Sequence, residues 1–141
     1  MLFIIQRYGI LPSISDSTYR LEGQSRWLFL AFLWSVGFLN LFQGLGAWGF
    51  WATACLLFAG ITIDHREQGA NTRVIHIVGA TGAIIFSLIG LWVIYEIWFP
   101  VVLIGIFTYI LYNHKNFIWW IEIAAFVVIY GAYLLRPLFI V

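Results

Sequence analysis

Charge is what this sequence has least of. Seven Lys and Arg and six Asp and Glu make up 9% of its 141 residues, where a soluble domain carries roughly a quarter. With 63% hydrophobic residues and a mean hydropathy of +0.97, a soluble fold of this length has no way to hide its apolar surface. Lipid is the expected solvent for most of it. Cys55 is the single cysteine, which excludes an intrachain disulfide framework and any C-x-x-C site. The net charge of +1 offers no basic patch for nucleic acid. Strands of about ten residues alternating apolar and polar, as a membrane β-barrel needs, are missing. Runs such as Val101-Val102-Leu103-Ile104-Gly105-Ile106-Phe107 are continuously apolar instead. The basic region that precedes a signal-peptide core is also missing, since Met1 to Ile5 is apolar and Arg7 follows it.

What is present reads as an all-α, polytopic transmembrane helix bundle forming a single domain over residues 1–141. A helical crossing takes about 20 apolar residues. Five spans are expected, at about residues 27–43, 47–63, 74–95, 97–112 and 117–135. Gln43-Gly44-Leu45-Gly46, the Asp64–Arg73 stretch, the Glu96–Pro100 stretch and Asn113-His114-Lys115-Asn116 would form the turns between them. Residues 1–11 are too few to cross and are expected to lie at the interface or re-enter, with Pro12 ending that segment. Trp27, Trp48, Trp51, Trp98, Trp119 and Trp120 fall near span ends, where aromatic belts form.

Five spans put Arg7, Arg20, Arg26, Arg66, Arg73 and Lys115 on one side and Arg136 alone on the other. Lys and Arg in short loops mark the cytoplasmic side. The N-terminus is therefore expected in the cytoplasm and the C-terminus outside, in the bacterial inner membrane or an equivalent bilayer.

Small residues allow helices to approach closely in lipid. In the third span His76, Gly79, Ala80, Ala83, Ser87 and Gly90 share one helical face, and in the second Gly49, Thr53, Gly60 and Asp64 do so. An antiparallel hairpin of these two spans would turn Asp64 and His76 inward on the cytoplasmic side. Glu122, in the fifth span, lies toward the same side on a face with Ala125 and Ile129. A carboxylate there is costly and ordinarily has a partner or a function.

The expected ligand-binding set is Ser15, Asp16, Asp64, Arg66, His76 and Glu122, serving a lipid headgroup or a small ligand. Imidazole with carboxylates also suits a hydrolytic zinc, which takes three protein ligands and keeps an open position. Asp16, Asp64 and His76 would be those ligands, although neither an H-x-x-x-H nor an H-E-x-x-H pair is present. A plainer reading has the same groups hydrogen-bonding one another to fix helix packing, with His76 on a backbone carbonyl. His65 and His114 fall in loops and are expected to be solvated, as is Glu96 near the external interface. Asn40 and Gln43 would bridge neighbouring helices.

Leu11-Pro12-Ser13-Ile14-Ser15-Asp16 resembles the P-x-I-S-D stretch of the Frag/DRAM/Sfk-like membrane proteins, which are themselves similar to the ceramidase-like CREST membrane hydrolases. The resemblance covers that hexapeptide and, loosely, the Asp64 to His76 hairpin. It implies roles for Ser15, Asp16, Asp64 and His76 around a metal, and a metal-dependent hydrolysis of lipid amides or esters. The C-terminal H-x-x-x-H pair of the hydrolases is not in the fifth span here, and their full first helix is reduced to residues 1–11. Whether the chain is an enzyme is left open by the residues. A lipid-binding protein, such a hydrolase, and an accessory subunit of a larger membrane complex (or a homo-oligomer) are the three readings that its composition permits.

Overall fold

A computed structural model describes residues 2–16, 25–61 and 70–138. Among these the regular structure is entirely helical. The elements are α1 (Leu2–Tyr8), α2 (Ser25–Leu41), α3 (Ala47–Ile61), α4 (Ala70–Tyr95), α5 (Phe99–Leu111) and α6 (Phe117–Leu135), closed by a 3₁₀ turn over Arg136–Leu138. Two compact units result. Gly23–Ile97 carries α2, α3 and α4, and Met1–Glu22 with Trp98–Val141 carries α1, α5 and α6.

Among the described residues two helices are long and apolar enough to cross a membrane: Val74–Tyr95 within α4, with mean hydropathy 2.3, and Phe117–Leu135, with 1.9. At 1.5 Å per residue, α4 with its 26 residues is about 39 Å long and α6 with 19 about 28 Å. Three shorter apolar helices cover Trp27–Leu41, Ala47–Ile61 and Phe99–Leu111. The sequence boundaries shift where local chemistry decides. The first span ends at Leu41 rather than residue 43, because Phe42 and Gln43 turn back onto the carbonyls of Leu39 and Asn40. The fourth begins at Phe99 with Pro100 in its first turn, where a missing N–H has no cost. Residues 70–73, expected in a loop, already belong to α4, since no Gly or Pro interrupts the run from Ala70 until Gly79. The N-terminal segment is a seven-residue helix, far too short to cross.

Within the first unit, α3 packs against both α2 and α4. His76, Gly79, Ala83, Ser87 and Gly90 are buried on one face of α4, and Gly49, Ala52, Thr53, Leu56, Ala59 and Gly60 on α3. The small-residue faces therefore meet as their spacing predicts. At Gly79 the approach is so close that a Cβ would lie 2.8 Å from the Cys55 carbonyl oxygen and 3.0 Å from the Ala59 nitrogen. Both are backbone atoms that cannot step aside. Thr53 Oγ1 lies 2.6 Å from the Gly37 carbonyl of α2 and 2.8 Å from its own helix's Gly49 carbonyl. Its one proton is shared between a local bond and an interhelical one, the kind of polar contact that joins helices in lipid.

Turns in this unit are set by left-handed residues. Gly44 (φ +72°) follows α2, and the hydroxyl of Tyr95 donates to the neighbouring Gln43 carbonyl, tying the end of α4 to this turn. Glu96 (φ 57°) ends α4. Its N–H returns to the Trp92 carbonyl at 2.9 Å and that of Ile97 to Leu91 at 3.1 Å, which pairs terminal carbonyls otherwise left without helical donors and buries Ile97.

In the second unit α5 packs on α6. The buried face of α6 runs through Trp119, Ala124, Ala125, Val128, Ile129, Ala132 and Tyr133. Outward-facing residues of both units are large and apolar, as at Leu28 (70% exposed), Val127 (66%) and Leu134 (81%). Contiguous faces of this kind exceed what water tolerates on a monomer.

Gly79→Ala should lower stability in detergent by about 1–3 kcal/mol, because the added methyl forces α3 and α4 apart. Gly105→Ala on α5, where a Cβ meets nothing within 4 Å, should be neutral or stabilising by up to about 1 kcal/mol through helix propensity. Thermal unfolding of the two purified variants distinguishes close packing from propensity alone.

Candidate functional site

The candidate site begins with an unfinished helix end. The first four N–H groups of any α-helix lack intrahelical partners. At the start of α6, Asn116 occupies the N-cap position, but its side chain makes no capping bond. Its Nδ2 donates instead to the Ile10 carbonyl at 3.4 Å. The Trp119 N–H is satisfied from far along the chain, by the Pro12 carbonyl at 3.2 Å. One turn further, the Glu122 carboxylate accepts the Ile14 N–H at 2.5 Å. Residues 10, 12 and 14 thus engage residues 116, 119 and 122. Every second residue of an irregular segment pairs with every third residue of a helix.

This register folds the P-S-I-S-D stretch onto α6. Leu11 and Ile14 enter the core, and Trp119 is buried to 1% exposure. The turn itself is held by hydroxyls. Ser13 Oγ accepts the Asp16 N–H at 3.2 Å and lies 2.9 Å from Ser15 Oγ, while the Ser13 carbonyl accepts the same Asp16 N–H at 3.2 Å. Ser15 and Asp16 are 6% and 5% exposed, which is unusual for side chains that normally face water. Asp16 follows two residues after Ile14, whose N–H the Glu122 carboxylate accepts. Glu122 shares a face with the buried Ala125 and Ile129, as its spacing predicts. Three of the residues singled out in the sequence, Ser15, Asp16 and Glu122, are therefore brought together within one unit.

His76 belongs to the other unit, the one formed by α2, α3 and α4. It is buried, and its Nδ1 is 2.9 Å from the Ala59 carbonyl oxygen. A carbonyl only accepts, so Nδ1 carries a proton in this contact. Asp64 and Arg66, expected beside it, lie outside the described residues, as does His65. Among the described residues no three of His, Cys, Asp and Glu gather as a metal set. Of the proposed zinc ligands, Asp16 and His76 are described, each within its own unit.

Two features escaped the sequence reading. His114 is exposed as expected, but its Nδ1 accepts the Asn116 N–H at 3.2 Å and its ring meets Trp120 edge-on, 6.1 Å between centroids. The Trp120 indole nitrogen is itself buried with no hydrogen-bond partner among the described residues. The second is the partner of Glu122. A backbone N–H carries no side-chain signature, so nothing in the residue types pointed to Ile14. No protein-family model, curated protein or solved structure matches the chain.

Replacing Ile14 by Pro removes the N–H that Glu122 accepts, whereas Ile14→Ala keeps it and loses only apolar burial. The Pro variant should be the less stable of the two by about 1.5–3 kcal/mol, the range for hydrogen bonds to charged groups. That gap should close in a Glu122→Leu background if the two groups act as a pair. Denaturant unfolding of the four proteins in detergent measures it.

Proposed function

We propose that this chain is a polytopic membrane protein whose polar turn at residues 13–16, together with Glu122, binds a lipid headgroup or another small ligand at the cytoplasmic side. The observation that carries the reading is the burial of Ser15 and Asp16, in a 3₁₀ turn outside the α-helices, on a segment whose Ile14 N–H meets the Glu122 carboxylate of a candidate span. Irregular backbone is tolerated at such depth where protein covers it or where it lines a cavity, and intramembrane ionisable groups are functional by default. Ionised carboxylates only accept hydrogen bonds. The matching ligand presents donors: an ammonium, a hydroxyl or an amide N–H. Arg66, expected in the same ligand set, lies outside the described residues.

The five-span arrangement belongs to this reading. α2, α3 and α5 have 17, 15 and 13 residues, about 20–26 Å each, and would cross by local thinning of the bilayer. The pairing of residues 10–14 with the start of α6 supports a topology in which the N-terminal segment and the α5–α6 turn share one side. With the Lys and Arg bias, that side is the cytoplasm of the bacterial inner membrane.

A second reading, a metal-dependent hydrolase of lipid amides or esters like the CREST proteins that the P-S-I-S-D stretch resembles, is favoured by His76. An imidazole that donates Nδ1–H to a carbonyl has the tautomer and orientation common among zinc-binding histidines. That bond serves helix packing equally well. In this reading zinc would be held by His76 with Asp64, which lies outside the described residues, and would supply an activated water.

Native mass spectrometry of the purified protein should show one class of lipid or small molecule retained above the bulk, with occupancy falling at least about tenfold in Asp16→Asn, as when a hydrogen bond to a charged acceptor is lost. Only bulk annular lipid, unchanged in the variant, would contradict a specific site. Stoichiometric zinc that disappears in His76→Ala would instead favour the hydrolase.

A further inference from the structure

The ligand groups assigned above are out of reach in the conformation described. Ser15 and Asp16 expose 6% and 5% of their surface, and the segment that carries them lies against α6. Any ligand that contacts their side chains needs that segment to move. We propose that residues 10–16 form a latched strap, which lifts from α6 to admit a ligand and is held shut by the Glu122 carboxylate on the Ile14 N–H. The proposal deepens the headgroup-site reading and rests on it for its purpose, though not for its test.

Three observations place the moving part. Its upstream end is Gly9, which has φ +73° and open space where a Cβ would be. This glycine closes α1 with its N–H on the Ile5 carbonyl at 2.9 Å, and hinges are element-terminal residues of this kind. Beyond the hinge, the described α1 side chains from Ile5 to Tyr8 are half-buried or exposed. Its hold on α6 includes the bonds of Ile10, Pro12 and Ile14 and the burial of Leu11 and Ile14.

These contacts are not equivalent. The Asn116 bond to Ile10 is long at 3.4 Å and the Trp119 bond to Pro12 joins two neutral backbone groups. The Ile14 bond is short and ends on a carboxylate, the class that is roughly twice as strong. Glu122 is thus a positioning residue for the strap. The titratable or charged group described near it is Asp16, on the strap itself.

The test is a thiol-accessibility measurement in the full-length protein, reconstituted in nanodiscs. Cys55→Ala removes the native thiol, and Ser15→Cys, nearly isosteric, reports on the strap through its reaction with a water-soluble maleimide. Labelling should be slow in this background and at least about tenfold faster when Glu122→Leu removes the acceptor. In Glu122→Gln, which keeps a carbonyl oxygen for Ile14, labelling should stay well below the Glu122→Leu rate. A thiol at Ser87, buried in α4 of the other unit, should stay protected throughout. The proposal is overturned if Ser15→Cys labels equally in the Glu122→Leu and parent proteins. It is also overturned if labelling in the parent is already as fast as at the exposed Gln6→Cys, or if Ser87→Cys loosens in parallel. Because no ligand enters the measurement, a working latch without retained lipid would remove the headgroup site and leave the strap intact.

Discussion

A backbone that departs from helical geometry among apolar helices must find partners for its N–H and C=O groups inside the protein. Here that requirement falls on two places at once. The first turn of α6 has N–H groups without intrahelical acceptors, and the stretch after α1 has peptide groups that no helix satisfies. Each answers the other. The Pro12 carbonyl caps Trp119 and the Glu122 carboxylate takes the Ile14 N–H. A proline suits this position because its own missing N–H leaves one donor fewer to satisfy, while its carbonyl remains. The Glu122 side chain, an apparent liability in a span, provides an acceptor that no apolar residue could. The buried polar turn and the strap both follow from this exchange.

The α2–α4 unit solves a different problem by a different means. In the membrane setting proposed above, its helices have no hydrophobic reason to associate, so contact depends on close backbone approach and on polar bonds that remain favourable there. Gly79 against the α3 backbone, Thr53 between the Gly37 and Gly49 carbonyls, and His76 on the Ala59 carbonyl are three forms of the same solution. His76 is therefore accounted for by packing even before any ligand is considered. The hydroxyls of Ser13 and Ser15 are held in place by the Asp16 backbone N–H and by each other.

Helix positions were legible because they depend on local runs of residues. The limits of α6 coincide with the span read at 117–135, and the buried set at residues 76, 79, 83, 87 and 90 follows the small-residue face. Ends were less legible where turn geometry decides, as with Phe42 and Gln43 leaving α2 or Ala70 to Arg73 joining α4. The candidate site was legible only as a list of residue types. Ser15, Asp16 and Glu122 were recognisable as polar groups in apolar surroundings, yet their association depends on Ile14 meeting Glu122 across 108 positions. Backbone donors are identical at every non-proline residue, so composition holds no trace of that pairing. The hairpin of Asp64 and Arg66 with His76, the most conspicuous polar feature of the sequence, has its loop half outside the described residues. The weight of the site has moved to the N-terminal turn.

The most direct measurement of this account is the hydrogen exchange of the Ile14 amide in nanodiscs, followed residue by residue. If its N–H is held by Glu122 in a folded strap, it exchanges by opening of that strap. It should then be protected by at least about tenfold over an unstructured peptide, the protection that even a modest local opening free energy gives. An Ile14 amide that exchanges at the free-peptide rate, while the amides of α6 remain protected, would contradict it.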